Sequence, residues 1–449
     1  MLSQIVFSAL AVCQIQVGQL PVGSWPSFLG VGGSWASSTT ASGNLPQQWS
    51  PVQGISWQAE LVGHGQSSPV AWGDRLFFTS VAGAKKDQYF VSCLSLKNGA
   101  QLWQQTVQNG SPVENSLYVS RAAPTPVVDG QQLVAVFESG NCIALDHDGN
   151  ILWQRDLNQT HGPFIAEFGL GASPCQDADR VFVLLEHDGP SHLIALDKRT
   201  GELAWAAPRG PRRSWSSPML IEIANQKQIV VSSAGSIDGY EPTSGKLLWS
   251  FSDIGGNTGT TPLDCGAGKF LVGASPGRQG ENAAQAATSN CLMQIDREGT
   301  GWQVTKLWHN ADASPSWASP ILHRGLAYWV NRVGVVCCIN AETGQTVYQG
   351  RSKQSCWATP FAVGDRIYLF GKDGLTTVIA AGETFKILAE NRLWPEDAPP
   401  PDASLQTQES TAERQKAAAM FSGPTVYGYA VVGAQFIIRI GNRVYCVGE

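Results

Sequence analysis

An internal repeat is the feature that most constrains this chain. Eight times along the 449 residues, a small residue and a proline precede an apolar stretch. The eight dipeptides are Ser68-Pro69, Thr125-Pro126, Ser173-Pro174, Ser217-Pro218, Thr261-Pro262, Ser319-Pro320, Thr359-Pro360 and Gly423-Pro424. Successive prolines are 40 to 64 residues apart, which is typical of one four-stranded β-propeller blade. The repeat therefore predicts eight blades.

A second motif recurs inside each segment, where a third strand ends in a turn glycine that is followed by an aromatic residue. The fullest copy runs from Ala195 through Asp197, Thr200 and Gly201 to Trp205. Glycine tolerates the positive φ of a tight turn, and a large ring buries much area between adjacent sheets. We predict that these rings dock neighbouring blades together, and the series is Trp103, Trp153, Trp205, Trp249, Trp308 and Tyr348.

The last segment supplies only three strands, so its fourth must come from elsewhere. Residues 54–61, which contain Trp57, match residues 150–157, which contain Trp153, almost position by position. We predict that this N-terminal strand completes the last blade, with Trp57 as its docking ring. Closure of this kind removes exposed sheet edges. The predicted fold is all-β, a single eight-bladed β-propeller of four-stranded antiparallel blades spanning residues 53–449.

Composition excludes several classes of function. Charged residues make up only 15% of the chain, the formal net charge is −6, and Lys and Arg are not concentrated anywhere, so a nucleic-acid partner is not expected. No apolar run approaches the roughly 20 residues that a membrane-spanning helix needs. The cysteines lack metal-type spacing, no metal site is predicted, and any disulfide pairing stays open.

The N-terminus suggests export. Residues 5–12 form a short apolar stretch, and residues 1–20 are interpreted as a signal or lipoprotein segment followed by an extension over 21–52. Leu10-Ala11-Val12-Cys13 resembles a bacterial lipoprotein box, although Val12 replaces the small residue expected there. We predict an exported protein of the bacterial periplasm or cell envelope, with a lipid anchor at Cys13 as one alternative.

Three insertions interrupt the repeat, at residues 106–121, 274–290 and 393–421. The last is Pro-rich at first, and then Ser410 to Glu413 form a capping box that predicts a short helix through Ala419. Long loops on a rigid scaffold often carry function. Tolerated surface drift is the alternative explanation for all three.

The first strand of a propeller blade lines the axis, so residues just before each dipeptide should surround one mouth of the channel. Aromatic and polar side chains concentrate there, namely His64, Arg121, Arg213, Trp215, Asn257, Trp317, Lys353 and Trp357. Flat rings and cations suit a planar or carboxylated ligand. The tryptophans can equally fill the axis as packing, and the sequence leaves both readings open.

The motif from Ala195 to Trp205 is similar to the tryptophan-docking motif of the pyrroloquinoline quinone (PQQ) propeller superfamily. The segments 25–30 and 63–74 resemble the opening of exported bacterial PQQ-like repeat proteins, and the resemblance covers about residues 25–449. It implies a propeller fold. The superfamily contains quinoprotein dehydrogenases and also cofactor-free scaffolds, such as the assembly lipoprotein of the outer-membrane β-barrel machinery, so it implies no single function.

A quinoprotein dehydrogenase would need a carboxylate base, a Ca²⁺ site and flat groups around PQQ. The vicinal pair Cys337-Cys338 is similar to that class, but it lies in an apolar strand whose alternation points the two thiols to opposite faces. Glu114 and Glu167 are loop carboxylates whose simpler interpretation is solvation. We therefore expect no cofactor.

The predicted function is an exported, non-catalytic, monomeric scaffold that binds an envelope protein or a small ligand. Two alternatives stay open. One is a PQQ-dependent alcohol or sugar dehydrogenase with PQQ and calcium, and the other is a carbohydrate-binding module, for which exposed aromatic residues would be the signal.

Overall fold

The computed structural model describes residues 23–31, 44–401, 409, 411–418 and 420–448. In this part of the chain, 32 strands form eight four-stranded antiparallel sheets, accompanied by three short helices. The eight-bladed propeller predicted from the repeat is confirmed. The predicted export segment with Cys13 lies outside the described residues, as do Ser410 and Ala419 of the predicted helix.

Blades 1 to 4 follow chain order from the axis outward. Blade 1 comprises β2 (Val70–Trp72), β3 (Arg75–Ala82), β4 (Gln88–Ser95) and β5 (Gln101–Gln108). Blade 2 comprises β6 (Val127–Val128), β7 (Gln132–Val136), β8 (Asn141–Asp146) and β9 (Ile151–Asp156). Blade 3 comprises β10 (Cys175–Gln176), β11 (Arg180–Leu185), β12 (Ser191–Asp197) and β13 (Leu203–Arg209). Blade 4 comprises β14 (Met219–Ile223), β15 (Gln226–Ser233), β16 (Ser236–Tyr240) and β17 (Leu247–Phe251).

Blades 5 to 7 repeat the same order. Blade 5 comprises β18 (Leu263–Gly266), β19 (Lys269–Val272), β20 (Cys291–Glu298) and β21 (Gly301–His309). Blade 6 comprises β22 (Ile321–His323), β23 (Leu326–Val330), β24 (Val335–Asn340) and β25 (Thr346–Arg351). Blade 7 comprises β26 (Phe361–Val363), β27 (Arg366–Phe370), β28 (Leu375–Ala380) and β29 (Ile387–Arg392). The helices are α1 (Leu157–His161), α2 (Ala283–Ala286) and α3 (Ala412–Ala418).

Blade 8 joins the two ends of the chain. Its strands are β30 (Val426–Val432), β31 (Gln435–Ile440), β32 (Arg443–Val447) and, on the outside, β1 (Ile55–Glu60). Trp57 pairs with Cys446, and Ala59 pairs with Val444. The predicted closure by the N-terminal strand is confirmed.

The described parts of the N-terminal extension pack across the ends of the ring. Trp25 exchanges two backbone hydrogen bonds of 2.9 Å with Ala71 in blade 1, and its ring lies 6.2 Å from that of Phe361 in blade 7. Asn391 in blade 7 accepts a hydrogen bond from the backbone N–H of Trp49. The extension therefore buttresses the blades on both sides of the closing sheet.

A chain of hydrogen bonds links the inner strands around the axis. In blades 1 to 6, the backbone N–H of the Ser or Thr before Pro donates to the hydroxyl of its counterpart in the next blade, at 2.9–3.0 Å, so that six bonds join seven residues. The seven residues, all buried, are Ser68, Thr125, Ser173, Ser217, Thr261, Ser319 and Thr359. Blade 8 differs, because Gly428 lies against the Ser68 hydroxyl and a side chain there would clash.

The Thr125→Val substitution tests this chain, because valine keeps the shape of threonine but cannot accept the Ser68 N–H. The buried, unpaired amide should lower the free energy of unfolding by about 1–3 kcal/mol. Chemical denaturation measures it, with Thr106→Val on the exposed face of β5 as the matched control. Equal stability of the two variants would show that the axial bond contributes nothing.

The docking rings contact the turn glycine of the following blade. Trp57 lies against Gly99, where a Cβ would be 2.5 Å from the ring, and its indole N–H donates to Leu96 O at 2.9 Å. The same two contacts, ring to glycine and indole N–H to a backbone carbonyl, are made by Trp103 with Gly149, Trp153 with Gly201, Trp205 with Gly245 and Trp308 with Gly344. Each of these turn glycines has a positive φ.

Two rings of the predicted series are placed differently. Trp249 donates to the Gln228 side chain of its own blade at 2.7 Å, and its ring fills the space beside Gly239. The following blade also differs there, because its outer hairpin is longer, with β20 ending at residue 298 and β21 beginning at residue 301. Tyr348 packs edge-on against Phe385, which comes from the turn of blade 7.

The Gly99→Ala substitution tests the docking contact at the closing blade. Gly99 and Gly364 have similar φ values of 69° and 58°, but a Cβ at Gly364 would meet nothing within 4 Å. Both alanines pay the same backbone cost, so Gly99→Ala should lose about 1–3 kcal/mol more because it displaces the Trp57 ring. Thermal unfolding of the two variants gives the difference, and identical melting curves would contradict the docking role.

Candidate functional site

One mouth of the axis carries a line of aromatic rings. The rings of Trp317 and Trp357 have centroids 4.4 Å apart and planes tilted by 42°. Tyr427 continues the line, with centroids 5.9 Å from Trp357 and 6.4 Å from His64. The relative solvent exposure of Trp317 is 38%. The structure thus brings three predicted residues, His64, Trp317 and Trp357, into one aromatic line.

A short segment of the third insertion packs over this line. The ring of Phe421 lies 5.6 Å from Trp357 and 4.7 Å from Tyr118, which belongs to the first insertion. Arg278, from the second insertion, lies 5.9 Å above the Phe421 ring. All three insertions therefore meet at Phe421. We name residues 409, 411–418 and 420–422 the mouth cover.

Ion pairs hold the helix of the mouth cover to the propeller. Arg414 on α3 is 3.0 Å from the Glu114 carboxylate and 3.5 Å from that of Glu167. Glu167 also pairs with Arg213 at 2.8 Å, and Arg213 pairs with Asp188 at 2.7 Å. The hydrogen bond from Arg213 lowers the pKa of the Asp188 carboxyl. The network therefore keeps the two candidate loop carboxylates, Glu114 and Glu167, ion-paired rather than merely solvated.

Lys372 anchors the other end of the mouth cover. Its ammonium donates to the backbone carbonyls of Met420 and Ser422 at 2.8 and 2.6 Å. It also lies 5.3 Å from the centre of the Trp357 ring, which is a cation–π distance. The cover is thus fixed on both sides of Phe421.

The Arg414→Ala substitution should loosen α3. Partly exposed ion pairs contribute a fraction of a kcal/mol each, so losing two should speed amide hydrogen exchange over residues 411–418 by about fivefold. Lys416→Ala, at an exposed position of the same helix, is the control because it keeps both pairs. Exchange rates that are equal in the two variants would show that the ion pairs do not hold the cover.

The remaining predicted site residues occupy three different environments. Asn257 is buried and donates to Ser232 Oγ and Ser236 O at 3.0 and 2.9 Å, which secures a loop. Trp215 is half-buried and donates to Gly169 O at 3.2 Å. Lys353 is exposed and pairs with Glu390 on the outer strand of blade 7 at 2.7 Å, away from the aromatic line.

Arg121 is fully buried and His64 is half-buried with both ring nitrogens covered, so neither lines an open funnel. Arg121 has 1% relative exposure. Burial, together with the charges of Arg121 and Arg439, holds the pKa of His64 well below 6.5. Arg439 is a residue that the repeat analysis missed, although a lone charge in the apolar strand from Phe436 to Ile440 is a signal that could have revealed it.

The mouth does not match the requirements of a quinone site. Trp317 and Trp357 are in direct contact, so a flat cofactor has no room between them. Among the described residues, no three His, Cys, Asp or Glu side chains group in a way that could hold a metal ion. Cys337 and Cys338 are free thiols that pack into separate cores on opposite faces of β24.

These features define a PQQ-type propeller whose aromatic line at the axial mouth is covered in part by its own insertions. The family model described as "Outer membrane protein assembly factor BamB" matches residues 27–164, 91–328 and 294–435. Because these matches together cover most of the chain, the protein belongs to that family.

Individual relatives include both assembly factors and a dehydrogenase. The chain is 26% identical to the outer membrane protein assembly factor BamB of Salmonella typhimurium over 47% of its own length and 48% of the relative's. It is 29% identical to a polyvinylalcohol dehydrogenase of a Pseudomonas species over 42% of its length and 29% of the relative's. The matched stretches thus cover less than half of either relative.

Solved structures share the fold. BamB from Moraxella catarrhalis superposes with a TM-score of 0.58 at 14% identity, covering 87% of this chain and 96% of that one. A quinohemoprotein alcohol dehydrogenase from Comamonas testosteroni gives a TM-score of 0.59 at 11% identity, covering 95% and 81%. At such identities these likenesses establish the architecture only. Within the described residues, no helix has the length and apolarity to cross a membrane.

Proposed function

We propose that the protein is an exported, non-catalytic propeller scaffold that takes part in assembling outer-membrane proteins. The observation that carries the proposal is the mouth cover, where Phe421 packs on Trp357 and Arg414 pairs with Glu114. An enzyme of this fold needs that space for cofactor and substrate, whereas a scaffold needs only its surface.

Family membership supports this choice. The family model carries the description of an outer membrane protein assembly factor, and relatives with that name match nearly half of the chain. By the same reasoning, residues 1–20 would direct export to the periplasm or cell envelope and residues 21–52 would form an extension of the 53–449 propeller. The partner would be another protein of the envelope.

The mouth cover is the surface where such a partner would dock. Glu413 and Lys416 are exposed on α3, so exchanging their charges leaves the helix and the net charge unchanged. The matched control exchanges Glu222 and Lys227, an exposed pair that faces each other across the β14–β15 hairpin at the opposite end of the ring. Neither exchange should affect folding.

The experiment uses the full chain, tagged and crosslinked in its native host, with quantitative mass spectrometry of the captured envelope proteins. We expect the unaltered chain and the Glu222/Lys227 exchange to capture the same outer-membrane assembly component. The Glu413/Lys416 exchange should capture about tenfold less, because reversed charges at a docking rim repel the partner. If both variants capture equal amounts of this component, the mouth cover is not part of the interface.

The polyvinylalcohol dehydrogenase relative makes an enzymatic test necessary. Purified protein would be mixed with PQQ and Ca²⁺, and dye reduction followed across a panel of alcohols and aldoses. We expect no turnover and no stoichiometric PQQ binding. Turnover with any of these substrates would show that the protein is a dehydrogenase and would contradict the scaffold proposal.

A further inference from the structure

Two buried arginines beside the axial mouth carry positive charges that no carboxylate among the described residues neutralises. Arg121 and Arg439 are 1% and 0% exposed, and within the described residues neither guanidinium forms an ion pair. Lys86, also buried, pairs with Glu138 at 3.0 Å, so that carboxylate is already taken. Two guanidinium charges are therefore uncompensated in the interior.

Six nitrogen atoms in this region also lack hydrogen-bond partners. They are Nε, Nη1 and Nη2 of Arg121, Nη2 of Arg439, and both ring nitrogens of His64. Buried polar groups are nearly always bonded, and a buried charge without a partner costs several kcal/mol in general. So many unsatisfied donors in one place indicate a missing acceptor.

Backbone contacts place the three side chains at one seam of the ring. The segment that starts at His64 lies between the entry to blade 2, where Gln66 N donates to Arg121 O at 3.0 Å, and blade 8, where Gly65 N donates to Gly441 O at 3.3 Å. Arg439 Nε donates to the same Gly441 carbonyl at 3.0 Å. The three residues thus come from blades 8, 1 and 2, and the charges of both arginines act on the ring of His64.

A glycine makes room for one of the arginines. A side chain at Gly65 would overlap the unpartnered Nη2 of Arg439, so only glycine allows the guanidinium to lie there. His64 also borders a crevice lined by Pro400, Pro401, Thr425 and Gly441. Water could satisfy these donors but could not balance the charge.

We propose that a small oxyanion binds between Arg121, Arg439 and His64 at the junction of blades 8, 1 and 2. Guanidinium groups match the paired oxygens of carboxylate, phosphate or sulfate, and this match defines the chemical class. His64 would contribute one ring N–H. The site does not depend on the scaffold proposal, since it concerns the interior of the ring rather than its docking surface.

The test compares phosphate, sulfate, formate and acetate with chloride at equal ionic strength, using the full chain dialysed into chloride. We expect at least one oxyanion to raise the melting temperature and to bind in isothermal titration. Phosphate and sulfate are tetrahedral, whereas formate and acetate are planar carboxylates. Tighter binding of one pair therefore shows whether the natural ligand resembles phosphate or a carboxylate. No oxyanion effect beyond that of chloride would overturn the proposal.

The decisive variant is Arg121→Met, matched by Arg351→Met at an exposed position of β25. Arg121→Met should weaken oxyanion binding by about thirtyfold or more. In chloride, its melting temperature should be higher than that of the unaltered protein, because the substitution removes a buried charge. Arg351→Met should change neither. Undiminished oxyanion binding in Arg121→Met would rule out the assigned site.

A direct readout covers the case in which Arg121→Met does not fold. Crystals of the unaltered protein soaked in selenate should give an anomalous peak between Arg121 and Arg439. Selenate bound only elsewhere, or nowhere, would refute the site whatever the variant does.

Discussion

The propeller depends on the hydrogen bonds that connect its blades at the axis. In blades 1 to 7, the Ser or Thr before Pro supplies a backbone N–H and a hydroxyl, and six bonds of 2.9–3.0 Å run from Ser68 to Thr359 around the ring. Proline after each Ser or Thr fixes φ and removes one competing donor. Inner strands as short as β6, with two residues, are thereby held in register.

Much of the fold followed from local patterns, because each blade repeats its own signals. The dipeptides gave the blade number, and the match of Trp57 to Trp153 gave the closing strand. Trp249 was predicted as a docking ring and stacks on Phe270 of the next blade, but its indole N–H donates to Gln228 of its own blade, a contact that the shared motif does not indicate. A motif can show that a ring will be buried, but not which neighbour will receive it.

The site was harder to predict, since its contacts join distant parts of the chain. Arg414 meets Glu114 across 300 residues, and no local pattern indicates that pairing. The first-strand rule correctly brought His64, Trp317 and Trp357 together, yet it also selected Lys353, whose long side chain turns outward to Glu390. The repeat predicts the backbone position of each residue, but the contacts of its side chain depend on distant segments such as the insertions.

The pairing of β1 with β32 has a consequence for biosynthesis. These strands lie nearly 400 residues apart, so the last sheet stays one strand short until translation reaches the C-terminal strand. Until then the apolar flank of β32 and the nine free thiols of the described chain are not yet sealed inside the finished ring. Oxidation and aggregation would thus threaten the nascent form, before the ring is closed.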